Sequence, residues 1–263
     1  MITSLAVLSI LFYSAAAFML TGKFFHQQGP NQRAAMIVAC LAVGAHIIYL
    51  QDVIFLAPGQ NMSIANVLSL VSCLTTLAML ISSRFLPNLV LLPAVFGFSA
   101  LSVSAALFIP SSHIMHIAVQ SGLLVHITLS LFAYGTITMA SLYALQMSYI
   151  TYRLKQKGAM LLHSSLPPLT LVETTLLRLI VIGTGLLVVS LISGFIFLDD
   201  MFSKNYAHKT VLSLIALVVF LVLIVGQSKR GWRGRQVVTL TLTGFGLLTL
   251  AYFGSRLVRE IIL

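Results

Sequence analysis

Long apolar runs alternate with short polar interruptions along this chain. Eight runs stand out, covering approximately 2–20, 34–55, 64–83, 88–108, 121–149, 174–198, 209–226 and 236–258. A helix rises about 1.5 Å per residue and the hydrocarbon core of a bilayer is about 30 Å thick, so roughly twenty apolar residues make one crossing. The runs are continuous rather than alternating, and an open sheet edge cannot face lipid, which excludes strands as the spanning elements. The pattern predicts an all-α, polytopic integral membrane bundle of about eight transmembrane helices. It reads as a single transmembrane domain over 1–263, with no internal repeat and no second domain. The first run lacks a basic leader, and its length is that of a span although Ala15-Ala16-Ala17 mimics a cleavage site; it is expected to be a retained helix.

Composition agrees with the pattern. With 59% hydrophobic and 8% charged residues, the chain carries more apolar surface than a soluble core of this length could hide. A net charge of +10 would suggest nucleic acid in a polar protein, but here positive charge reports orientation, and no nucleic-acid partner is implied. Lys23 and Arg33, then Arg84, then Arg153, Lys155, Lys157 and Arg178, then Lys229, Arg230, Arg233 and Arg235 fall on alternate connections, which are therefore cytoplasmic. The opposite connections carry Asp52, the uncharged Ser111-Ser112 stretch, and Asp199-Asp200 offset by Lys204 and Lys209. Both termini are expected outside, with Arg256 and Arg259 as exceptions to the rule.

Two connections carry signals of their own. Pro167-Pro168 stops any helix arriving from span five, and Thr170 with Glu173 has capping-box spacing, so span six is expected to begin there. On the outer side, Ile109 to Gln120 is too short to cross and reads as an amphipathic lid in the interface. Cys40 and Cys73 lie in apolar runs without CxxC spacing and read as small buried hydrophobes.

The candidate chemistry lies in the histidines. His46 is about twelve residues into its span, roughly 18 Å across the core, and His126 is roughly 6 Å below the outer end of span five. Their depths agree. A neutral imidazole in lipid must satisfy one donor and one acceptor, by interhelical hydrogen bonds or at a metal centre, and both readings stand for each residue. Facing imidazoles from two helices can hold a haem iron inside a bundle. Gly44, Gly122 and Gly135 would either admit a flat ligand or pack helices closely. His208, beside Lys209 at the outer end of span seven, could reach a ligand in the outer mouth. His113 and His116 share a face only if the lid is helical, as either a solvated pair or a metal pair. His26 and His163 read as solvated, and Tyr49, Tyr134 and Tyr143 as core. No nucleophile, zinc-protease or phosphate-cradle motif accompanies them, so an enzyme is not expected.

Four stretches carry a family resemblance along nearly the whole chain. They are His46-Ile47-Ile48-Tyr49-Leu50 with Gly59-Gln60-Asn61-Met62-Ser63; Gly122 to Ser130 with Ala133-Tyr134; Lys209-Thr210; and Gly231-Trp232-Arg233-Gly234-Arg235 with Tyr252-Phe253-Gly254. In these the chain resembles the membrane proteins of cytochrome c assembly, the CcsA/CcmC-like haem handlers, in a short branch without the tryptophan-rich loop. The resemblance implies a multi-pass protein of the bacterial inner membrane that binds or moves haem. The haem would be b-type and non-covalent, and other cytochrome assembly membrane proteins would be partners. His46 matches the family's membrane-embedded haem histidine, and His126 the first histidine of its outer haem site. The chain departs from the family in having one tryptophan, Trp232, in lacking a histidine near Gln227, and in ending its last helix in Arg256, Arg259 and Glu260. A bis-histidine site of either family type is therefore incomplete, leaving His46 with His126 as a different pair.

Two other functions compete with haem handling. Intramembrane His46, Gln51, Asp52 and Asn66 would also mark a transport path for a small solute or metal ion, though carboxylates for ion coupling are scarce. A scaffold that recruits assembly factors through its basic loops is the third.

Overall fold

An apolar run in lipid leaves its backbone groups no water to bond, so each run closes its hydrogen bonds internally as a helix. The computed structural model describes residues 2–21, 31–54, 60–61, 63–85, 88–109, 114–115, 121–156, 167–197 and 207–254. The helices are α1 (Ile2–Thr21), α2 (Gln32–Ile54), α3 (Ile64–Ser82), α4 (Leu92–Phe108), α5 (Ser121–Gln156), α6 (Leu169–Phe197), α7 (Ala207–Arg230) and α8 (Arg235–Thr249). The last continues as a π-helical turn over Leu250–Gly254. Seven are long and apolar enough to cross a membrane. The eighth, α4, has 17 residues, about 26 Å at helical rise and close to the hydrocarbon thickness. The polytopic helical architecture expected from the pattern is the one observed.

The chain divides into two compact units, 1–118 and 119–263. In the first, α1 packs on α2 and α4, and α3 packs on the same two helices, so the four close a ring. The second repeats this scheme: α5 packs on α6 and α8, and α7 on the same two. Such closed four-helix arrangements bury one stripe of every member.

In the first unit that stripe is made of small residues. The buried face of α1 is Ala6, Ser9, Tyr13, Ala16 and Leu20, and that of α2 includes Ala35, Ala39, Ala42, His46 and Tyr49. Steps of three and four residues give the seam of a left-handed helix pair. Alanine brings the backbones close enough for Ser9 Oγ to donate to the Ala42 carbonyl at 3.2 Å. In the second unit, glycines seat large side chains: Gly122 lies beneath Phe197, and a Cβ on Gly183 would come within 2.8 Å of Ile137 Cγ1. Gly122 thus packs helices, whereas an added Cβ at Gly44 or Gly135 meets nothing within 4 Å.

Several details differ from the sequence reading. The expected capping box does not form. Pro168 is the start of α6, its carbonyl accepting from the N–H groups of Leu171 (3.1 Å) and Val172 (3.2 Å), so Thr170 and Glu173 already lie inside the helix. At the other end of that connection α5 runs to Gln156, past the expected end near 149, because its polar last turns keep helical bonds outside the apolar zone. α4 begins late because Asn88 serves the preceding helix: its amide donates to the Met79 carbonyl and to Ser82 Oγ, both at 2.9 Å. Within the expected outer lid, Ile114–Met115 are extended rather than helical, paired antiparallel with Gln60–Asn61. His113 and His116 lie outside the described residues, as do His26 and His163. Cys73 is buried, but Cys40 is exposed on the outward face of α2.

The seating of the glycines yields a stability prediction. Gly183→Leu should cost about 1–3 kcal/mol by overpacking α5 against α6. Gly185→Leu, two residues along where an added Cβ meets nothing within 4 Å, should cost less than about 0.5 kcal/mol. Thermal unfolding of the two variants in detergent should separate them by several degrees.

Candidate functional site

Each unit buries polar side chains, and in each one hydrogen-bonded group centres on a histidine. In the first unit His46 is fully buried. Its Nδ1 meets the Tyr13 hydroxyl at 3.2 Å and its Nε2 meets Ser69 Oγ at 2.8 Å, so one ring ties α1, α2 and α3 together. Tyr13 stands edge-on to the imidazole, with centroids 5.8 Å apart, and its other side stacks on Phe96 of α4 at 6.3 Å. Hydroxyls continue inward from Ser69. Ser72 Oγ donates to the Ser69 carbonyl (2.8 Å), Ser99 Oγ to the Ser72 carbonyl (3.3 Å), and Thr76 and Ser99 pair at 2.7 Å. Of the residues that could have marked a transport path, Asn66 is buried and donates to the Asn61 carbonyl at 3.1 Å, while Gln51 is exposed.

His126 in the second unit is held differently. Its Nδ1 lies 2.9 Å from the Ser190 carbonyl oxygen and 3.1 Å from Ser193 Oγ. A carbonyl only accepts, and Ser193 Oγ already donates its own proton to that same carbonyl at 2.7 Å. Both contacts therefore place the imidazole proton on Nδ1, and Nε2 presents its lone pair. The group near it is Ser130 Oγ at a long 3.5 Å, and that hydroxyl is closely paired with Ser190 Oγ at 2.6 Å. An Nδ1–H anchored on a carbonyl with Nε2 open is the arrangement that protein scaffolds impose on a metal-ligating histidine.

Two turns along α5 from His126, the same stripe reaches Tyr134. Its hydroxyl pairs with Thr249 Oγ1 at 3.0 Å, and its ring contacts Phe245, Tyr252 and Phe253 with centroids 5.0–5.9 Å apart. The π-helical turn brings the Tyr252 hydroxyl to the Ser130 carbonyl, where it donates at 3.1 Å. Stretches far apart in sequence, Ser130 with Tyr134 and Tyr252-Phe253, thus form one aromatic and hydroxyl floor behind His126. His208 is exposed in the first turn of α7.

The structure therefore gives His46 and His126 separate hydrogen-bonded settings, one in each unit. A group that takes iron through an imidazole fits His126 as it stands; at His46 both ring nitrogens already hold hydroxyls. Among the described residues no group of three or more His, Cys, Asp or Glu is placed to hold a metal ion. The partners Tyr13, Ser69, Ser190 and Ser193 were not singled out in the sequence. Their signal was present as spacing: His126, Ser130 and Tyr134 recur every four residues, and Ser190 and Ser193 are three apart.

Residues 34–263 match the family described as cytochrome C assembly protein. The chain belongs to the cytochrome c assembly family. It is 38% identical to the inner membrane protein YpjD of Escherichia coli (strain K12), over 98% of both chains. It is 24% identical to the cytochrome c biogenesis protein CcsA of Thermosynechococcus vestitus, over 68% of this chain and 69% of that one. With the CcsA of Mesostigma viride it shares 21% identity over 52% of each. No solved structure matches it. The chain is a multi-pass protein of the bacterial inner membrane, and its family membership supports a role in cytochrome c biogenesis.

The geometry makes two predictions. Tyr13→Phe and Ser69→Ala each leave a buried imidazole nitrogen unpaired and should each lower stability by about 1–3 kcal/mol, measured as loss of thermal stability in detergent. In protein labelled with 15N-histidine, His126 should show the proton on Nδ1; a spectrum with the proton on Nε2 would contradict the anchoring by the Ser190 carbonyl.

Proposed function

We propose that this protein binds haem and hands it on during cytochrome c assembly, as a carrier rather than an enzyme, with His126 as an iron ligand. The supporting observation is the hydrogen-bond setting of His126. A carbonyl and a hydroxyl hold its Nδ1–H, and a half-buried Nε2 lone pair is left with no short partner. Bound haem, b-type and non-covalent, would supply the iron. The chain's own residues orient the ring through Ser190 and Ser193, and the floor of Tyr134, Phe245, Tyr252 and Phe253 offers the apolar, flat surface that a porphyrin face packs against.

His46 is the second candidate ligand. Its Nδ1 is anchored on Tyr13, and its Nε2 becomes available when the Ser69 hydroxyl turns away, which a serine rotamer change accomplishes. His208 is an exposed imidazole that could meet the cofactor at the end of α7. Partners would be the cytochrome assembly proteins that deliver or accept the haem.

An absorbance spectrum tests this. Full-length protein, gently solubilised and titrated with haemin, should develop a Soret band. His126→Ala should weaken haemin affinity at least about ten-fold, while Ser193→Ala, which keeps the carbonyl anchor, should weaken it much less. Protein that stays colourless with added haemin would overturn the proposal. Deletion cells should lose c-type cytochromes while metal uptake is unchanged.

A further inference from the structure

The turn between α7 and α8 is built more firmly than a connection requires. α7 stops at Arg230. Gly231 follows at φ +64°, and its N–H donates to the Gln227 carbonyl at 3.1 Å, a left-handed stop that glycine adopts without strain. The Trp232 N–H donates to the Gly226 carbonyl at 3.3 Å, and the indole lies directly on Gly226, where any Cβ would collide with it. Gly234, at φ +62°, swings the chain into α8, and the Val238 N–H returns to its carbonyl at 3.1 Å.

This frame displays four exposed cations, Lys229, Arg230, Arg233 and Arg235. No Asp or Glu occurs anywhere between Ala207 and Gly254. α8 begins with no acidic residue in its first turn and no side-chain cap, so its open N–H groups and dipole add to the same positive field. Positive charge on a slack loop would set orientation and nothing else. Here the backbone that carries the charges is fixed by hydrogen bonds at the ends of two spans, beside an indole of the kind that settles at headgroup level. The most concentrated anions at that level are lipid phosphates, and guanidinium forks match phosphate oxygens.

We propose that the α7–α8 turn is a binding site for the phosphate headgroup of anionic phospholipid. This site is independent of the haem reading: it involves none of the histidines and would stand if the protein never met haem.

Trp232 is the chain's single tryptophan, so its fluorescence reports on this turn alone. Full-length protein in phosphatidylcholine vesicles is titrated with brominated phosphatidylglycerol or brominated phosphatidylcholine, whose bromine quenches a neighbouring indole. The anionic lipid should quench at a mole fraction roughly ten-fold lower than the neutral one, and high salt should erode that preference. Arg233→Gln/Arg235→Gln should abolish the preference, with Trp232 still in place. Arg153→Gln/Lys155→Gln removes equal charge from the end of α5 and should leave the preference intact. Equal quenching by both lipids in the native protein overturns the proposal, and so does equal loss in the two double variants, which would trace the preference to overall charge.

Discussion

Inside an apolar bundle a polar group finds either a protein partner or none, and this constraint orders the interior of the molecule. Many polar side chains on the buried faces are linked in pairs and chains, while Thr75 and Gln146 are buried with no hydrogen-bond partner among the described residues. His46 is pinned between Tyr13 and Ser69, Thr76 is paired with Ser99, and His126 is anchored on Ser190 and Ser193. In lipid, helices gain little from hydrophobic contact with one another, because the tails are as apolar as leucine. Packing of small residues and these hydrogen bonds therefore carry the specificity of association.

The two units meet the constraint with different means. The first uses an alanine seam, close enough for a serine to bond a neighbouring backbone, and places its histidine within that seam as one more packed residue. The second uses glycine sockets beneath Phe197, Ile137, Trp232 and Phe220, and leaves its histidine at the edge of a layer of hydroxyls and aromatic rings. A ring bonded at both nitrogens braces helices. A ring bonded at one nitrogen by a carbonyl, with only a long contact at the other, is held by fewer partners. Two residues that read alike as intramembrane imidazoles thus have different chemistry.

Membership of the cytochrome c assembly family gives that difference its meaning. The chain has a single tryptophan, and Gln227 stands where the resemblance implied a second membrane histidine. Parts of two matched stretches meet behind His126: Ser130, Tyr134 and Tyr252-Phe253 form one continuous floor. Another matched stretch, Gly231 to Arg235, has no part in that floor and forms the rigid cationic turn instead.

Hydropathy alone determined the eight helices, because an unbroken apolar run has only one way to satisfy its backbone in lipid. It also placed His46 deep in its span and His126 near the start of its own. It failed at the ends. The capping-box spacing of Thr170 and Glu173 was overruled by Pro168 two residues earlier, and within the expected lid Ile114–Met115 pair with Gln60–Asn61, since local signals at a boundary compete with partners that only the fold supplies. The grouping into two rings of four helices and the seating of glycines beneath large side chains were likewise settled by packing between distant segments. So was the setting of His126 Nδ1, because the Ser190 carbonyl beside it is 64 residues away along the chain and becomes its neighbour only when α5 and α6 pair.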